Sequence, residues 1–95
     1  MKGTEKQIKW ATEIKKCVIC ILEDTIKVEP NSKPILNKII TKLNDDNVYA
    51  GDIIDLFKDV QKYAPERKTT IEKFSLIMSE LKLTSNPEWN IRNFR

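Results

Sequence analysis

The chain of 95 residues contains no histidine, only two glycines and only two cysteines. Without histidine, no side chain has an ordinary pKa near neutrality, so candidates for a general base reduce to carboxylates and lysines. A zinc site also loses its usual nitrogen ligand. Two glycines, Gly3 and Gly51, are too few for a phosphate-cradling loop or for the tight turns of a β-meander. The cysteines stand as Cys17-Val18-Ile19-Cys20, a spacing that elsewhere is redox-active or half of a zinc site. Here the pair falls mid-helix, away from the helix N-terminus that lowers a thiol pKa. With no further soft ligand in the chain, a metal would have to be shared across a dimer. The pair reads as packing, with Cys17 a small hydrophobe at the core edge and Cys20 a more exposed neighbour. No catalytic residue, metal ligand or cofactor is expected. No run approaches the ~18 apolar residues that mark a membrane span, so no membrane partner is expected. The opening Met-Lys-Gly-Thr-Glu carries no apolar secretory core, which points to the cytoplasm of a host cell.

What is present is charge and helical pattern. With 33% charged and 40% hydrophobic residues and a net charge of +3, the chain has the composition of a folded domain. Its length fits one domain, residues 1–95. A charge this mild does not by itself argue for nucleic acid. Four apolar stripes recur at helical spacing. The first, from about Glu5 to Ile26, gathers Ile8, Ala11, Ile14, Val18, Ile21, Leu22 and Thr25, with Trp10 and Cys17 at its edge and Ile19 at its far margin. Thr4 and Gln7 form a capping box at its start. Pro30 ends it by disfavouring helical geometry at Glu29.

Ser32 reads as the cap of a second helix, with Pro34 in its first turn and Ile35, Leu36, Ile39, Ile40 and Leu43 as its stripe. Asn44 to Asn47 supplies turn chemistry. A third helix, about Ala50 to Tyr63, turns Ile53, Leu56, Phe57 and Val60 inward; either a cap at Asp46 or a bend at Gly51 sets its start. A fourth follows a second box, Thr69 with Glu72, and carries Ile71, Phe74, Ile77, Met78 and Leu81. Asn86 and Pro87 read as one more helix start, followed by a turn or two from Trp89. The expected class is all-α: a compact bundle of four helices plus a short C-terminal helical turn. Ile14, Val18, Ile39, Phe57, Phe74 and Met78 should share one core, with Trp10 over its edge.

Two sets of residues are functional candidates. Lys2, Lys6, Lys9 and Lys16 fall on the polar side of the first helix, interrupted by Glu13 and Glu23, and form a candidate phosphate-binding stripe. Trp89, Arg92, Phe94 and Arg95 are of the types found at interface hot spots and in base-stacking clusters, and form a candidate partner-binding set. The acids Asp45, Asp46 and Asp52 lack the ligand alternation of a calcium loop and read as turn and cap chemistry. Ile19 and Cys20, off the main apolar face, together with Trp89 and Phe94, suggest a homodimer contact.

The stretch Gly3-Thr-Glu-Lys-Gln-Ile-Lys-Trp-Ala-Thr-Glu-Ile14 resembles a motif, Gly-Ser/Thr-x-Lys-Gln-x-x-Trp-Ala-x-x-Ile, of small uncharacterised proteins of phages and mobile elements. Members often end in an aromatic-Ile-x-x-Arg-type tail, which Trp89, Ile91 and Arg92 match loosely. The resemblance implies a phage or mobile-element origin and no catalytic activity. With the small size, it leads to the expectation of a non-catalytic protein that binds and modulates a host protein. The sharp form of that expectation is an anti-CRISPR-type inhibitor of a defence nuclease. The alternative is a nucleic-acid-binding accessory or regulatory protein using the basic face of the first helix.

Overall fold

The structure, a computed structural model, describes residues 1–94, so Arg95 lies outside the described residues. Helix α1 spans Glu5–Val28. Thr4 sits in extended backbone, and its hydroxyl accepts the N–H of Gln7 at 3.2 Å. The Gln7 side chain accepts the Thr4 N–H in return at 3.1 Å, so the capping box is complete. The helix runs two residues past the expected end. Pro30 constrains Glu29 rather than Val28, and the Glu29 N–H still reaches the Thr25 carbonyl.

A 3₁₀ turn, Pro30–Ser32, leads into α2, Lys33–Leu43. Ser32 does not cap α2 through its side chain: its backbone is already helical, and its hydroxyl donates to the Glu29 carbonyl at 2.6 Å. Helix α3 occupies Ala50–Tyr63. Neither Asp46 nor Gly51 sets its start. Asp45 shapes the preceding turn by accepting the Asn47 N–H at 2.8 Å, and an N-terminal arm holds the first turn. Lys2 forms an isolated parallel bridge with Tyr49; its N–H donates to Val48 and its carbonyl accepts the Ala50 N–H, at 2.8 and 2.7 Å. One of the unpaired N–H groups at the start of α3 is satisfied in this way.

Helix α4, Thr70–Leu83, begins with the Thr69 hydroxyl accepting the Glu72 N–H at 3.1 Å. The Glu72 carboxylate accepts from Lys68, one residue short of the reciprocal bond of a full box. Beyond α4 no helix starts at Pro87. The Asn86 side chain accepts the Glu88 N–H and the Asn90 side chain that of Arg92, two Asx turns that fold the segment back before a 3₁₀ turn at Ile91–Phe94.

Helix α1 is the central element and packs on all three others. Ile14, Val18, Leu22, Ile39, Phe57 and Leu81 are fully sealed in one core. Phe74 and Met78 are only partly buried and pack against that core rather than inside it. On α4 the apolar residues spread around the helix, and only Ile77 and Leu81 face fully inward. The plug at the open end is Trp89, 1% exposed, set edge-on to Phe57 with ring centroids 6.0 Å apart and planes at 86°. Phe94 lies 6.3 Å from Trp89. The result is an all-α bundle of four helices closed by a short C-terminal turn. Among the described residues, no helix is long and apolar enough to cross a membrane.

Candidate functional site

A hollow of about 760 Å³ is built by segments far apart in the chain: Lys2 from the arm, Lys38 and Lys42 from α2, Tyr49 before α3, and Trp89 and Phe94 from the C-terminal segment. Lys42 organises it. Its Nζ lies 5.1 Å from the Trp89 ring centroid and 5.7 Å from that of Phe94. The same ammonium donates to the Glu88 carbonyl at 2.6 Å, which ties the C-terminal segment to α2. On the opposite wall the Lys2 ammonium stands 5.7 Å over the Tyr49 ring, and Tyr49 is 56% exposed. Asp45, Asp52 and Glu88 share the lining with the three lysines. Such a groove has an aromatic floor and alternating charges. It suits the mixed side chains of a protein surface better than a ligand of one charge sign.

A second hollow, about 530 Å³, lies where α1 meets α3 and is lined by Trp10, Lys58, Asp59, Gln61 and Lys62. A third, about 350 Å³, is acidic, with Asp52, Asp55 and Glu80 near the start of α3 and the end of α4. Burial there raises the Glu80 carboxyl above its ordinary pKa, and the nearby Asp59 charge adds to the effect. Among the described residues, no group of three or more potential ligands is placed to hold a metal ion.

The structure divides the candidate phosphate stripe. Lys6, Lys9 and Lys16 are exposed on α1. Lys2 is not on that helix, which begins at Glu5; the arm carries it to the groove beside Tyr49. The tail set divides as well. Trp89 and Phe94, 1% and 5% exposed, are the floor of the groove and part of the core rather than an open patch, because the Asx turns fold them back onto the bundle. Arg92 is exposed, and Arg95 lies outside the described residues. The suggested dimer contact therefore loses its two aromatics. Ile19 packs partly against the core, and Cys20 is exposed.

Cys17 is half-buried. Desolvation raises its thiol pKa, the neighbouring Cys20 adds to the rise, and Lys73 opposes it. That is the reverse of an activated redox cysteine. Sequence reasoning missed Lys38, Lys42 and Tyr49 as groove residues. No local signal marks them, because the arm and tail that complete the groove come from the two ends of the chain. Compared with known protein families, curated proteins and solved structures, the chain matches none.

Proposed function

We propose that this protein acts without catalysis, by binding and modulating a host protein. In its sharp form it is a phage or mobile-element inhibitor of a defence nuclease, of the anti-CRISPR type, working in the host cytoplasm. The observation that carries this reading is the groove of about 760 Å³ with its aromatic floor, half-exposed Tyr49 and balanced lysines and carboxylates. Interfaces concentrate their energy in aromatic anchors set among polar rims, and the floor of this groove is held rigidly by the core itself. The test is affinity purification from host lysate at modest salt, comparing the parent with Tyr49→Ala combined with Lys38→Glu. Both positions are exposed, so the variant should keep its fold. The reading expects one stoichiometric protein with the parent and its loss with the variant. Recovery of no stoichiometric protein by the folded parent overturns it.

A second reading, a nucleic-acid-binding accessory, is favoured by one observation: Lys6, Lys9 and Lys16 all stand exposed along the polar face of α1. It expects binding that weakens steeply with salt and that Lys6→Glu with Lys9→Glu impairs while helicity is unchanged.

A further inference from the structure

Charge is unevenly distributed around Trp10. The first half of α3 carries Asp52 and Asp55, and the second half carries Lys58 and Lys62 against Asp59. The first half of α1 carries Lys6, Lys9, Lys15 and Lys16 against Glu5 and Glu13, whereas Glu23 and Asp24 outnumber Lys27 further on. Trp10 stands where the basic half of α1 meets the basic half of α3, in the groove it shares with Lys58 and Lys62. It is 46% exposed, while Trp89, which closes the core, is 1% exposed. A second exposed ring, Tyr63, follows Lys62 at the end of α3, with the Lys62 ammonium 5.3 Å from its centroid. On α1, Lys6 lies one turn before Trp10 and Glu13 one turn after it, and neither lines this groove.

We propose that this face is a binding site for single-stranded nucleic acid. One base stacks on Trp10, and Lys58 and Lys62 hold the flanking phosphates. The inference rests on the nucleic-acid reading of the α1 lysines and names the strand type and the site. Stacking on an indole needs an open π-face, which unpaired bases offer and bases inside a duplex do not. Lysines supply point charges for phosphates without the planar fork that reads base edges, so binding here is sequence-tolerant. Among the described residues, Asp59 is the one carboxylate lining this groove, against Lys58 and Lys62, which leaves its local balance positive, unlike the mixed groove at Tyr49.

The test uses the whole chain and two probes: a labelled single-stranded DNA of about 20 nucleotides and the matching duplex. Binding is read by anisotropy at several salt concentrations and by fluorescence of the exposed tryptophan. The single strand should bind more tightly than the duplex and quench the red-edge emission of the parent, a signal that Trp10→Phe removes. Trp10→Ala should weaken single-strand binding by about tenfold, the order expected for the loss of one stacked base. Lys58→Glu with Lys62→Glu should weaken it further and flatten the salt dependence, by about 0.7 in log–log slope per lost phosphate contact. Circular dichroism and melting confirm that each variant is folded. If the duplex binds as well as the single strand, and Trp10→Ala changes nothing while Lys6→Glu with Lys9→Glu does, the proposed site is wrong and the nucleic-acid reading stands. If neither probe binds, both are wrong.

Discussion

Truncation of Trp89 should be a severely damaging single change in this chain, although the residue lies six positions before Arg95 in a segment without α-helix. Trp89 is 1% exposed, meets Phe57 edge-on at 6.0 Å and sits under the Lys42 ammonium at 5.1 Å. Replacing a buried Trp by Ala costs about 3–5 kcal/mol through lost transfer energy and the cavity left behind. That range includes the loss of the edge-on pair, worth about 0.5–1.5 kcal/mol. At roughly 0.05–0.15 kcal/mol per residue, the whole chain has about 5–14 kcal/mol to lose. Trp89→Ala should therefore remove about a fifth of its stability at the least, and most of it at the upper end of the range. For a domain of this size, about 4–8 °C per kcal/mol lowers the melting temperature by roughly 12 °C or more. Thermal melts followed by circular dichroism measure it, with Trp89→Phe as an intermediate case that keeps a ring against Phe57. If Trp89→Ala melts within about 4 °C of the parent, the C-terminal turn does not close the core, and the groove built on it does not exist in solution.

Three further outcomes are expected. Gly3 has φ +151° and a Cβ there would lie 3.0 Å from the Ala50 Cβ, so Gly3→Ala should destabilise by about 1–3 kcal/mol in chemical denaturation; an unchanged midpoint would mean that the arm does not dock. The Glu80 carboxyl holds its proton more tightly in the folded chain because of burial and Asp59, so its contribution is present below the unfolded pKa and is lost as pH rises through the folded one. Glu80→Gln should accordingly melt higher than the parent at neutral pH, with the gap closing below the ordinary Glu value; a gap independent of pH would contradict this. Alkylation mapped by mass spectrometry at neutral pH should label exposed Cys20 well before Cys17, whose thiol is half-buried and pushed up; equal rates would show that the pair is not packed as described.

The helices were legible because their signals are local. The Thr4–Gln7 box and the Thr69–Glu72 cap, the proline at residue 30 and the apolar spacing each act within one or two turns, and the starts of α1 and α4 follow from the two caps. No local signal sets the start of α3, because the arm decides it through the bridge between Lys2 and Tyr49. Ser32 misled because its type suits a cap but its backbone is already helical. The groove was illegible for the same reason as the arm: Lys2, Tyr49 and Trp89 come together only when both chain ends fold back. Trp89 and Phe94 carried the right signal, since aromatic residues at a chain end do meet something. Whether that something was a partner or the chain's own core is a tertiary question that periodicity does not answer.

The proposed recognition of a host protein at the groove beside Tyr49 can be read out by replacing Tyr49 with a photo-crosslinking amino acid in the full chain. The protein is then irradiated in host lysate, and covalent adducts are identified by mass spectrometry. Because Tyr49 is 56% exposed, the replacement should leave the fold intact, as circular dichroism would verify. The account predicts one dominant protein adduct, suppressed by excess unlabelled parent and absent when the crosslinker is moved to exposed Ser79 on α4. A folded protein that gives no saturable adduct at position 49 would contradict it.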